Sequence, residues 1–233
     1  MPARTVILVP PSEAKAPDGA GPPWSEGSMS VGELDPFRRR LLDALGPGHP
    51  AASEPTMAAI ERYCGVLYRE LDAASLDVAG RRRLRRNLLT VSGLWGLVAP
   101  ADPIPHYKLK MSASVADLGR LARWWKPQLT DALAPRVRGA TVWDLLPIEH
   151  AAALDWTSLA PRRRVTVRFV DADGRTVSHW NKLLKGSIVR WLAESGTSDP
   201  RALVGFEHPL GYRLDERATS VVGREVALVF RPG

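Results

Sequence analysis

The apolar positions of this chain fall into short unbroken runs and longer helical stripes, with proline and glycine marking the changeovers. Thr5-Val6-Ile7-Leu8-Val9 is β-branched and does not alternate, the pattern of a strand covered on both faces. It stops at Pro10-Pro11. Thr141 to Leu146 and Val226 to Phe230 predict further strands, the second apolar enough to be central, and Leu210 to Leu214 adds a short one. Arg162 to Val170 and Arg175 to Ser178 flank Asp171-Ala172-Asp173-Gly174, which predicts a β-hairpin on its Asp-Gly ending.

Helical spacing accounts for most of the remainder. Asp35-Pro36 predicts the cap and first residue of a helix over Phe37 to Leu45. A second helix is expected from Thr56 to Tyr63, interrupted at Cys64 to Tyr68, with a short connector over Leu71 to Leu76. Asp77 caps an arginine-rich helix whose Arg81, Arg82, Arg83, Arg85 and Arg86 point in most directions around the axis, as on a solvated helix. Val115 to Leu133 carries a helical stripe that Pro127 is expected to bend or split. From Trp180 a stripe of Leu183, Leu184, Ile188, Trp191 and Leu192 predicts a long helix, and Asp199-Pro200 begins a short one ending at Gly205-Phe206. The sum is an α/β fold of mixed α+β character, one domain over 1–233 with a mixed sheet and flanking helices. Residues 16–33, rich in Gly, Pro, Ser and Asp, predict a flexible loop, either plain mobile surface or a lid over the neighbouring strand end.

Two stretches stand out as candidate chemistry. Ser12, Glu13 and Lys15 follow directly on the first strand, where open α/β sheets place ligand contacts. Leu88 to Met111 contains Pro100, Pro103 and Pro105 and then His106-Tyr107-Lys108-Leu109-Lys110-Met111. Period-two alternation there puts His106, Lys108 and Lys110 on one face and Tyr107, Leu109 and Met111 on the other. The same features also describe a surface turn and an edge strand protected by lysines. Glu149-His150, beyond the strand at 141–146, reads as a structural pair or an acid–base couple.

Composition narrows the partners. The formal charge of the 233 residues is +7, which favours anionic partners such as nucleic acid, nucleotides or phosphorylated small molecules. An Ala/Arg/Pro-heavy composition accounts for part of the same excess. Cys64 is the single cysteine, so no intramolecular disulfide forms and a reducing compartment is expected. His49, His106, His150, His179 and His208 lack metal-ligand spacing, so no metal site is expected. Neither a leader nor a run of eighteen apolar residues is present, which predicts a cytoplasmic protein without a membrane partner.

Taken together, several segments resemble the YaaA peroxide-stress family of bacterial proteins. They are Pro10-Pro11-Ser12-Glu13-Ala14-Lys15, Tyr63-Cys64-Gly65-Val66-Leu67-Tyr68, Ser92-Gly93-Leu94-Trp95-Gly96-Leu97, and Pro105 to Met111. Asn181-Lys182, Lys185-Gly186, Arg190, Gly205-Phe206 and Gly211-Tyr212 follow in the family's order. The resemblance spans residues 5 to 230 and implies a single-domain fold with a basic cleft and a helix-hairpin-helix-like element. It further implies duplex DNA binding and protection against peroxide and iron damage. Leu146 to Ala151 departs from the family's usual Ser- and Tyr-containing segment, and Ala14 replaces the usual Gly.

Two functions follow. In the first, Lys15, Lys108, Lys110, Asn181, Lys182, Lys185 and Arg190 hold the phosphates of duplex DNA. In the second, Ser12, Glu13, Tyr107 and Lys108 form the catalytic group of an enzyme acting on a nucleobase or nucleotide. There Glu13 is the general base, and Lys15 and Lys182 complete the pocket. A third reading is an interaction protein whose basic surface steers partners. Substrate, cofactor and oligomeric state stay open. All readings need ammonium groups near positions 15, 110 and 185 to gather around one concavity.

Overall fold

The computed structural model describes every residue except 1–3, 172, 177, 207 and 209, with the backbone alone at 178–180. The strands are β1 (Thr5–Val9), β2 (Thr56–Ala58), β3 (Leu88–Ser92), β4 (Gly96–Val98), β5 (Pro103–Pro105), β6 (Ser114–Val115), β7 (Gly119–Arg120), β8 (Thr141–Asp144), β9 (Arg163–Phe169), β10 (Tyr212–Leu214), β11 (Ser220–Val222) and β12 (Glu225–Pro232). The helices are α1 (Asp35–Leu45), α2 (Ala59–Arg62), α3 (Val66–Leu71), α4 (Val78–Asn87), α5 (Leu121–Val137), α6 (Ile148–Ala151) and α7 (Ser178–Ser195).

One mixed sheet of eight strands runs through the molecule in the order β10-β12-β9-β8-β1-β3-β4, with β11 added to β12. Its five inner strands, β3, β1, β8, β9 and β12, are parallel, and β4 and β10 close the two edges antiparallel. Every residue of β1 and of β8 is buried, as their unbroken apolar runs require for strands covered on both sides. Because the inner strands are parallel, Val9, Ser92 and Asp144 finish on the same edge of the sheet. That edge is where the chain places the segments discussed below. Helix α3 packs on α7, so closely that a Cβ at Gly186 would fall inside contact distance of the Leu67 carbonyl.

Several local expectations are corrected by distant pairing. Thr56 to Ala58 does not begin a helix: it forms β2 against β5, and only Ala59–Arg62 is helical. Of the interruption expected at Cys64 to Tyr68, the part from Val66 on belongs to a helix, Val66–Leu71. Among the described residues the hairpin around Gly174 shows an antiparallel bridge between Val170 and Thr176 and a bond from Asp171 N to Arg175 O at 2.9 Å, while β9 itself takes parallel partners on both sides. Ala172 and Val177 of that expected hairpin lie outside the described residues, as does the His179 side chain. Pro127 does not split its helix, since α5 runs unbroken over Leu121, Trp125, Leu129 and Leu133, all fully buried. The core these four join outweighs one lost backbone bond. Asp77 caps α4 as expected, accepting from Gly80 N at 2.6 Å.

Residues 16–33 have little regular structure and are fastened at several points. Arg62 donates to Ala16 O at 2.6 Å, Gly21 bridges to Thr56, Ser30 binds Asp102, and Trp24 packs on Trp95 with ring centroids 5.4 Å apart.

Candidate functional site at the strand ends

Beyond Val9 the two prolines deny the chain further ladder bonds and turn it across the end of the sheet. There the 10–15 segment meets α3, the extended 107–110 segment and the loop after β8, and together they enclose a cavity of about 270 Å³. Lys182 reaches the same cavity from α7. The 106–111 segment makes no ladder, but its burial alternates as its sequence does. His106, Lys108 and Lys110 are exposed, while Tyr107 and Met111 are buried. Gly93 permits this placement, because a Cβ there would stand about 3.0 Å from the backbone of Leu109 and Lys110.

Hydroxyl groups organise the floor. Ser92 Oγ accepts from the backbone N–H groups of Leu94 and Trp95 at 3.2 and 3.1 Å. Both its lone pairs are then engaged, so its own proton goes to the Tyr107 hydroxyl at 2.8 Å. Tyr107 in turn donates to the Tyr63 hydroxyl at 2.7 Å. Tyr68 donates to Pro10 O at 2.9 Å and fixes the turn out of β1. Burial raises the pKa of all three tyrosines, that of Tyr107 to about 12, because a phenolate loses its hydration there.

Lys15 is the innermost cation of the cavity. Its Nζ donates to Ser12 O at 2.7 Å and stands 4.1 Å from the centroid of the Tyr107 ring. Loss of solvent lowers its pKa to about 8, with Glu13 opposing the shift. Two further polar atoms on the wall have no hydrogen-bond partner: Ser12 Oγ and His150 Nδ1. Their residues are 8% and 6% exposed. The Glu149 carboxylate lies 3.5 Å from His150 Nδ1 without hydrogen-bond geometry, and burial lowers the imidazole pKa, with Glu149 opposing the shift. Gly65 faces Ser12, and a Cβ at that position would collide with the hydroxyl.

The mouth is ionic and wet. Lys108, Lys110 and Lys182 are exposed there. Lys110 pairs with Glu13 at 3.3 Å, both side chains largely in solvent. The hydrogen bond from Lys110 lowers the Glu13 pKa, with smaller help from Lys182 and Lys108.

Of the residues expected from sequence, Ser12, Glu13, Lys15, Tyr107, Lys108, Lys110 and Lys182 therefore share one cavity. Lys185 and Arg190 do not line it. Lys185 Nζ donates to Leu145 O at 2.9 Å beyond the end of β8, and burial lowers its pKa. Arg190 binds the carbonyls of Leu71 and Asp72 and pairs with Glu194 at 2.9 Å, closing the end of α3. Asn181, next to Lys182 on α7, does not line the cavity either. Sequence reasoning assigned no site role to Tyr63, Gly65 or Tyr68. Their available signal was two tyrosines bracketing a glycine in a segment too short for its period to be read.

Among the described residues no group of three or more His, Cys, Asp or Glu side chains is arranged to hold a metal ion. No described helix is long and apolar enough to cross a membrane.

A parallel-centred α/β sheet with a lysine-lined cavity at its strand ends defines the class of molecule: an α/β protein with a ligand-sized pocket at the carboxyl edge. Residues 38–218 match the family described as peroxide stress protein YaaA. The chain is 36% identical to a UPF0246 protein of Streptomyces coelicolor over 96% of each chain. It is 32% identical to a UPF0246 protein of Corynebacterium efficiens, covering 82% of this chain and 85% of that one. An uncharacterized protein of Campylobacter jejuni is 25% identical over 95% of this chain and 98% of its own. The chain belongs to the YaaA peroxide stress protein (UPF0246) family.

Proposed function

We propose that the cavity is the working site of an enzyme that binds a small anionic molecule of nucleobase or nucleotide size. One observation carries this reading: a desolvated ammonium, Lys15, and two buried polar atoms without partners, Ser12 Oγ and His150 Nδ1, share one enclosure. Buried polar groups are nearly always hydrogen-bonded, and a ligand entering here supplies the missing partners. The volume of about 270 Å³ suits one heterocycle with an anionic substituent. In this reading the rim lysines draw the anion in, Lys15 contacts it, and Tyr107 backs the Lys15 ammonium. An anion that takes Lys110 also releases the Glu13 carboxylate, which then serves as the general base.

A second reading is duplex DNA binding, favoured by the three exposed lysines grouped at the mouth. A duplex meets only that rim, and protection from peroxide then follows from covering the DNA. A thermal-shift series separates the two. Nucleobases and nucleoside monophosphates are expected to raise the melting temperature in a saturable way, and Lys182→Ala is expected to weaken the response. A response to duplex alone, losing about 0.9 of a log unit of affinity per log unit of salt for each phosphate contact, transfers the assignment to DNA.

A further inference from the structure

Lys15 is held differently from the lysines around it. It has one backbone carbonyl as partner and an aromatic face beneath, and among the described residues no carboxylate lies within ion-pair distance. Glu13, two residues earlier, is engaged by Lys110. Lys185 is the internal contrast: also desolvated, it is fastened to Leu145 O and has no place on the cavity wall. Lys15 thus combines withdrawal from water, a light tether and open space in front of it.

From this placement we infer that Lys15 is a carbonyl-reactive amine, which condenses with an aldehyde or ketone group on a small anionic ligand to give an imine. The inference rests on the reading of the cavity as a small-anion site. The nitrogen lone pair adds to the carbonyl carbon and a C–N bond forms. Both hydrogens of the neutral amine then leave with the carbonyl oxygen as water, so a C=N bond replaces C=O and no oxidant or reductant is consumed. Solvent in the mouth of the cavity carries the proton from nitrogen to oxygen. The imine nitrogen then takes up a proton from solvent, and the Tyr107 face lies under the resulting cation, where a ring quadrupole favours positive charge. Desolvation is a standard way of making a lysine nucleophilic. With a pKa of about 8, about a tenth of Lys15 is free amine at pH 7, against well under a hundredth for an ordinary lysine.

The test uses glyoxylate, a compact anionic aldehyde, with cyanoborohydride to fix any imine, followed by peptide mapping of the full chain. One carboxymethyl group is expected on Lys15, forming about tenfold or more faster than on any other lysine, with a rate that rises with pH to a midpoint near 8. Lys15→Arg should lose this adduct with its melting temperature preserved. Even labelling of Lys108, Lys110 and Lys182, or no adduct on Lys15 in folded protein when unfolded protein accepts one, overturns the inference. The two readings fail separately. If nucleotides raise the melting temperature but Lys15 is not labelled, the imine chemistry falls and the nucleotide reading stands. If Lys15 is labelled selectively but nucleoside monophosphates neither bind nor protect it, the nucleotide reading falls and the imine chemistry stands.

Discussion

Arg38 and Lys15 are both withdrawn from water, and the molecule treats them in opposite ways. Arg38 is wholly buried with every guanidinium nitrogen partnered: it donates to the carbonyls of Val31, Trp95 and Leu97 at 2.9 to 3.0 Å and to Asp35 at 2.6 Å. Those bonds tie α1 and the preceding segment to β4 and the turn before it. Lys15 has a single carbonyl and an open cavity beside an unpartnered hydroxyl. The contrast teaches that burial of a charge alone does not mark a working site. A fully satisfied cation is scaffold, whereas one left short of partners beside a cavity is available to a ligand.

The sharpest way to break the comparison is Arg38→Met, which strands the Asp35 carboxylate and three carbonyls. Stability to urea is expected to fall by roughly 3–5 kcal/mol, and a loss below about 1 kcal/mol would mean that Arg38 is not the scaffold described. Gly65→Ala comes next, because its Cβ must displace Ser12 Oγ. A cost of roughly 1–3 kcal/mol is expected, together with loss of ligand response in the thermal-shift series. Unchanged ligand binding in that variant would detach Ser12 from the site.

Lys15→Met should go the other way. In wild type the lysine pKa is lowered from 10.5 to about 8, so below pH 8 both folded and unfolded chains carry the proton and the folded state bears the full cost of burying it. Between pH 8 and 10.5 the folded chain sheds the proton first, the unfolded chain binds more protons, and wild-type stability rises. The methionine variant is therefore expected to melt higher than wild type below pH 8, with the gap closing towards pH 10.5. A gap that widens with pH contradicts the burial of Lys15. Lys110→Ala has the smallest expected effect, within about 1 kcal/mol, since its pair with Glu13 is solvated.

Much of the frame was legible in the one-dimensional pattern. The apolar runs of β1, β8 and β12 announced covered strands, and Asp77 announced the start of α4. The alternation at 106–111 correctly separated exposed lysines from buried Tyr107 even though no ladder forms there. One failure shows the cause most clearly. β2 became a strand because β5 offers it a partner some 45 residues away. Pairing energy of this kind is non-local and leaves no trace in a short window. In the site, the convergence of positions 15, 108, 110 and 182 was anticipated, while Lys185 and Arg190 turned out to serve the backbone of neighbouring elements.

By itself the order of residues determined which segments would be buried and where strands would stop, because these depend on hydrophobic period and on the backbone limits of proline and glycine. Which lysine would lose its water was decided only by the tertiary structure. The electrostatic surroundings of Lys15 are made by Tyr63 and Tyr107 as well as by the turn after β1. Desolvation is a property of everything within a few ångströms of a charge, wherever in the chain it originates.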